Sequence, residues 1–259
     1  MTDLYYETNG EGDTLVLLHS GGTDLRDWQF IAPGLSQDFR VVTYDQRGQG
    51  RSPVPVQPIN HVADFKELLD SLHIERGVLV GHSIGGQIAT DFALEYPGRV
   101  QRLILIAPGL TGFEWSPSFQ KMAQDMWAVV PDAEKMLHIM LNTPECYAVQ
   151  GAMQSPQRDF VVQIHRENVE KSLTWKSFEQ LWTAHPLTID RLGEIETETL
   201  FIVGTDEKAD VLRIAVLFEQ VPNIRFVRIL NADHALTWTH PSEVVDAVKG
   251  FLKHPMAFE

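Results

Sequence analysis

Gly81-His82-Ser83-Ile84-Gly85 lies between a short apolar run, residues 77–80 (Gly-Val-Leu-Val), and a segment in which Ile84, Ile88, Ala89, Phe92 and Ala93 recur at helical spacing. A buried strand must therefore turn abruptly into a helix at Ser83. Such a turn strains the backbone of the serine and needs small residues two positions before it and two after, which Gly81 and Gly85 supply. The pattern Gly-x-Ser-x-Gly also arises by chance in glycine-rich loops. Its placement between a strand and a helix is what makes Ser83 a candidate nucleophile.

Working outward, apolar runs of strand length recur at residues 14–18, 40–44, 102–106, 199–203 and 225–230. Most are continuous, as in strands buried on both faces of a parallel sheet. Helix-like stretches fall between them at 62–72, after Ser83, at 211–219 and at 244–252. The alternation predicts an α/β fold, a mostly parallel, doubly wound sheet, with residues 4–8 as an antiparallel edge strand.

From residue 111 to about 191 no convincing strand interrupts the helical spacing. Phe119, Met122, Met126 and Val130 form one stripe, Met136, Leu137, Met140 and Leu141 a second, and Trp175, Phe178, Leu181 and Trp182 a third. Such stripes are more often plain core than ligand-binding surface. This insertion, however, leaves and rejoins the sheet at the edge where parallel sheets bind ligands. The expected organisation is a core of residues 1–110 and 192–259 with a helical cap at 111–191. Its Met and Trp side chains, Trp127 among them, would form an adaptable apolar wall over the site.

The 259 residues carry a formal net charge of −14, with no Lys/Arg-rich cluster to offset it, so nucleic acid and anionic membrane surfaces are not expected partners. Cys146 is the only cysteine, which excludes an intrachain disulfide and a thiol-based metal site. Residues 1–12 lack the pattern of a signal peptide, and no apolar run has membrane-spanning length. A cytoplasmic location is the expectation, and the oligomeric state is left open.

A serine hydroxyl needs a base within hydrogen-bond reach and an acid to orient that base. After the run at 225–230, Asn231-Ala232-Asp233-His234-Ala235 places His234 in a loop at a strand end. The run at 199–203 leads into Gly204-Thr205-Asp206-Glu207, where Asp206 is preferred over Glu207 as the acid. Two backbone N–H donors are needed for the developing oxyanion. Ile84, at a helix start, is one candidate, and in His19-Ser20-Gly21-Gly22 the second is Gly21, with Gly22 close behind.

Together with Asp45-Gln46-Arg47-Gly48-Gln49-Gly50-Arg51-Ser52, these stretches closely resemble the α/β-hydrolase family over nearly everything outside the insertion. The resemblance implies the hydrolase fold, a cap, no cofactor, and a triad in the chain order Ser83, acid, His234. Ser20-Gly21-Gly22-Thr23-Asp24 followed by Trp28 looks most like enol-lactonases and small carboxylesterases; Gly22 and Trp28 in this stretch, with Trp127 of the cap wall, are the candidate substrate contacts. Ser20 stands where the family usually has glycine, and Gln49 where histidine is common. Family spacing of the acid points to Glu207, whereas counting back from Val221-Pro222 favours Asp206, and Asp210 is a third option. The expected activity is a serine esterase or lactonase acting on a small apolar substrate. Two alternatives are carbon–carbon bond hydrolysis, whose family members often have asparagine in place of His82, and non-catalytic binding of a small ligand.

Overall fold

Apolar runs with no polar face can be buried only between two layers of helix, and seven strands form such a sheet in the computed structural model, which describes residues 2–143, 150–177 and 187–253. The strands are β1 (Tyr6–Asn9), β2 (Thr14–Leu18), β3 (Arg40–Tyr44), β4 (Gly77–His82), β5 (Val100–Ile106), β6 (Thr199–Gly204) and β7 (Ile224–Ile229). Their order across the sheet is β1-β3-β2-β4-β5-β6-β7. Only β1 runs antiparallel, with Tyr6 opposite Tyr44; the other pairs are parallel. This is the α/β-hydrolase fold expected from the sequence.

The main helices outside the insertion are α1 (His61–Ser71), α2 (Ile84–Glu95), α6 (Ala209–Leu217) and α7 (Pro241–Lys253); α3 (Pro117–Ala128), α4 (Ala133–Asn142) and α5 (Arg158–Ser172) lie between β5 and β6. Asn60 caps α1 by accepting from the Ala63 N–H, and Asp132 caps α4 in the same way from Lys135. Val62, Phe65, Leu68 and Leu69 of α1 are buried in the main core with β2 through β6. Phe178, Leu181 and Trp182 of the third stripe, and Cys146, lie outside the described residues.

The strand order positions the site. After β2 the chain turns to β3 on one side, and it then crosses to β4 on the other, so the loops leaving β2 and β4 diverge and open a crevice at their carboxyl ends. Residues 19–22 and Ser83 occupy those two loops.

The insertion is fastened at several points. Lys171 of α5 donates to the carbonyls of Gln49, Gly50 and Ser52 at 3.2, 2.6 and 2.5 Å. Asn168 bridges the Asp24 carboxylate and the Gly50 N–H at 2.8 and 2.9 Å. A second apolar cluster joins Leu137, Leu141, Ala152 and Val161 of the insertion to Ala235 and Trp238, just beyond His234.

Both ends of the insertion meet on Asp91 of α2. Its buried carboxylate accepts from the hydroxyl of Thr111 at 2.7 Å and from that of Thr188. Burial pushes the carboxyl up from 3.8 to about 6, although both hydroxyls act to lower it. A folded-state value above the unfolded one means that this contribution to stability is complete below about pH 4 and is lost as pH rises through about 6. The shift corresponds to roughly 3 kcal/mol. Asp91→Asn, which cannot ionise, is therefore expected to melt several degrees above the wild type at pH 8 and close to it at pH 4. A lower melting temperature for the variant at pH 8 would show that the ionised carboxylate is a net stabiliser.

Candidate active site

Ser83 sits between β4 and α2 with φ 53° and ψ −117°, in the left-handed region that side chains other than glycine rarely adopt. Such a backbone costs about 1–3 kcal/mol and must be held from outside. The Ser83 N–H donates to the Ile106 carbonyl, and the Ser83 carbonyl accepts from Gly109, both at 2.9 Å. The two glycines are demanded by backbone, not by side chains. A Cβ on Gly81 would come within 2.5 Å of the Gly85 carbonyl oxygen, and one on Gly85 within 2.1 Å of the Leu18 oxygen at the end of β2.

His234 presents Nε2 to the Ser83 hydroxyl at 2.9 Å and Nδ1 to a Glu207 carboxylate oxygen, also at 2.9 Å. The acid on the imidazole is thus Glu207, and the preference for Asp206 is corrected. The cause lies in the backbone. The Asp206 N–H donates to the Ala232 carbonyl at 2.9 Å, pairing the two loops so that the next side chain faces His234. Asp206 itself points to solvent, 3.1 Å from the Thr205 hydroxyl. Asp210 is also engaged elsewhere, accepting from the N–H and hydroxyl of Ser116 at 3.1 and 2.8 Å. The other Glu207 oxygen accepts from the Lys208 N–H at 2.8 Å, and both the Glu207 and His234 side chains are buried.

A cavity of about 360 Å³ opens on this arrangement, with Ser20, Gly21, Ser83, Ile84 and His234 at its base. Its wall is mostly apolar, formed by Trp115, Phe119, Met122, Met126 and Met140, with Gln87 as a polar member. A Cβ on Gly21 would lie 3.6 Å from the Ile84 side chain, so the two residues proposed as oxyanion donors are neighbours.

The sequence-derived substrate contacts are not all here. Trp28 is completely buried with its ring edge toward His82, 6.4 Å between centroids, so it is core and not cavity wall. Gly22 and Trp127 line an adjoining apolar groove of about 390 Å³, which shares Phe119, Met122, Met126 and Met140 with the cavity. Trp127 is 57% exposed.

Sequence reasoning also missed Asp27. Its fully buried carboxylate accepts from the Ser20 N–H at 2.8 Å, from the Thr237 hydroxyl at 2.9 Å and from His82 Nδ1 at 2.8 Å. His82 Nε2 reaches the His234 carbonyl at 3.0 Å. Burial alone would raise the Asp27 carboxyl, but the charge and hydrogen bond of His82 bring it below the ordinary range. Conversely, Asp27 lifts His82 above its usual value against the effect of burial. The one local signal was an acidic residue beside a tryptophan in a loop, with nothing to show that it would be buried. Among the described residues no group of three or more His, Cys, Asp or Glu could hold a metal ion, and no helix is long and apolar enough to cross a membrane.

The family model for the alpha/beta hydrolase fold matches residues 13–137, from the start of β2 into the insertion. The chain has the α/β-hydrolase fold. A 2-hydroxy-6-oxo-6-phenylhexa-2,4-dienoate hydrolase of Comamonas testosteroni is 28% identical over 236 residues, spanning 79% of this chain and 75% of that protein. A pimeloyl-[acyl-carrier protein] methyl ester esterase of Aeromonas hydrophila is 27% identical over 257 residues, 95% of this chain and 98% of its own. Among solved structures, a hydrolase from Pseudomonas aeruginosa superposes with a TM-score of 0.76 at 26% identity, covering 97% of this chain and 94% of that one.

Proposed function

We propose that the protein is a serine hydrolase of small, uncharged carboxylic esters or lactones, with Ser83 as nucleophile, His234 as base and Glu207 as the acid that orients it. The observation that carries this reading is the 2.9 Å contact of His234 Nε2 with Ser83 at the floor of an apolar cavity. In acylation the Ser83 proton passes to His234 Nε2 as Oγ bonds to the substrate carbonyl carbon. The Gly21 and Ile84 N–H groups donate to the resulting oxyanion. His234 then returns its proton to the departing alcohol oxygen, and the acyl-enzyme forms. Water, giving a proton to the same nitrogen, releases the acid and restores Ser83. Glu207 stabilises the transient imidazolium at Nδ1.

A second reading, cleavage of a carbon–carbon bond in a dienoate, draws support from the Comamonas testosteroni relative. Such a substrate carries a carboxylate, which calls for a cationic partner in a water-poor pocket. The described residues that line the cavity include neither lysine nor arginine. The methyl ester esterase relative and the apolar wall favour the ester.

Side-by-side assays of p-nitrophenyl acetate, butyrate and octanoate and of a 2-hydroxy-6-oxohexa-2,4-dienoate separate the two. Neutral esters are expected to turn over, with the medium chain preferred, while the dienoate persists. Efficient dienoate cleavage with negligible esterase activity would overturn the ester reading.

A further inference from the structure

The nitrogens of a neutral imidazole are one donor and one acceptor, so the partners of a buried ring report how many protons it holds. His19 illustrates the neutral pattern. Its Nδ1 faces the Ser20 carbonyl, which can only accept, and its Nε2 faces the Gln46 N–H, which can only donate. His82 differs. Its Nδ1 lies 2.8 Å from the Asp27 carboxylate and its Nε2 lies 3.0 Å from the His234 carbonyl oxygen. The carbonyl has no proton to give, and the Asp27 carboxyl, which already accepts from the Ser20 N–H and the Thr237 hydroxyl and is held below its ordinary range by His82, is the ionised partner, so both ring nitrogens donate.

We infer that His82 is a permanently doubly protonated imidazolium, neutralised by Asp27, and that this buried ion pair is the positioning device of the site. Four of its parts converge there. Asp27 holds the backbone N–H of Ser20, the residue before the Gly21 donor, and the hydroxyl of Thr237 in the short helix Leu236–Thr239. His82 immediately precedes the nucleophile and holds the backbone carbonyl of the base. Nucleophile turn, oxyanion loop and histidine loop are thereby fixed to one another through two side chains that lie out of solvent. Misplacement of any of the three by a fraction of an ångström lowers the rate.

The groups facing the pair come from every element around it. They are His19 at the end of β2, His234 and Glu207 from the two catalytic loops, and His165 from α5. Glu207 and Asp27 both favour the charged ring, while burial opposes it. Removing Asp27 altogether would strand a buried charge at high cost. The informative change is therefore Asp27→Asn. The amide keeps the shape, and with its nitrogen toward Nδ1 a neutral ring protonated only at Nε2 keeps both of its own contacts, while the Ser20 N–H, which shares that oxygen in the wild type, loses its acceptor.

Ring-nitrogen NMR of the ¹⁵N-histidine-labelled wild-type chain between pH 6.5 and 8.5 tests the protonation, with His82 assigned through its contact with the Trp28 indole. Both nitrogens are expected to be protonated throughout, and Asp27→Asn is expected to remove the proton from Nδ1 alone. The positioning half rests on the serine-hydrolase reading, and its probe is the rate at which a fluorophosphonate labels Ser83. That rate, and kcat for an ester, should fall about 10- to 100-fold in Asp27→Asn with KM nearly unchanged. A wild-type His82 carrying one ring proton at pH 8 overturns the inference. So does a folded Asp27→Asn that is labelled at the wild-type rate. Should that variant not fold, His82→Gln, which can still donate to the His234 carbonyl, takes its place in the rate test with the same expected fall. Failure of the wild-type chain to react at all would strike the serine-hydrolase reading and leave the NMR result standing.

Discussion

Ser83→Ala should lower ester turnover by roughly 10⁴- to 10⁶-fold, the scale of loss seen when a nucleophile that works as a unit with its base is removed. The substitution is a fair test because it deletes one hydroxyl and leaves the backbone demand unchanged. Alanine and serine are equally strained at φ 53°, and the contacts that hold this turn, to Ile106 and Gly109, are made by backbone atoms. The variant should therefore keep the wild-type melting temperature. Its residual rate is to be read from p-nitrophenol release above the spontaneous rate. A variant retaining a tenth or more of wild-type kcat would mean that Ser83 is not the nucleophile.

Glu207→Gln should cost about 10³- to 10⁴-fold in kcat, whereas Asp206→Asn, at the adjacent residue of the same loop, should be nearly silent. The contrast follows from where the two carboxylates point. Glu207 is buried against His234 Nδ1, and in the proposed mechanism it holds the ring in the tautomer whose Nε2 accepts the Ser83 proton. A glutamine amide can instead donate to Nδ1 and stabilise the opposite tautomer, in which Nε2 already carries hydrogen. The Asp206 side chain is exposed, and among the described residues its hydrogen-bond partner is Thr205. Steady-state kinetics of both variants at one pH decide the matter. A large loss in Asp206→Asn with little in Glu207→Gln would reverse the assignment.

Much of the fold was legible because its signals are local. The run at 14–18 and the run at 40–44 coincide with β2 and β3, β4, β5 and β6 differ from their sequence readings by one or two residues at one end, and β7 is displaced by one residue at both. Continuous burial on two faces leaves little else for such segments to be. Ser83 and His234 were readable for a similar reason: each is announced by a strand followed by a turn. The acid was harder, since Asp206 and Glu207 are adjacent and their directions depend on a hydrogen bond to Ala232, twenty-six residues further along. Trp28 misled because a tryptophan after a glycine-rich loop reads equally well as wall or as core. Asp27 and Asp91 left no local trace of their roles, because their partners His82 and Thr188 lie 55 and 97 positions away. Buried polar contacts of that span emerge only once the sheet has assembled.

Among the described residues, the wall of the cavity contains three thioethers, those of Met122, Met126 and Met140. Peroxide converts such side chains into sulfoxides, which are polar, chiral and strong hydrogen-bond acceptors. An oxidising environment would thus change the chemical character of the chamber without touching Ser83, His234 or Glu207. Under the proposed function, oxidation damage would then register first as altered substrate preference, with Ser83, His234 and Glu207 unchanged.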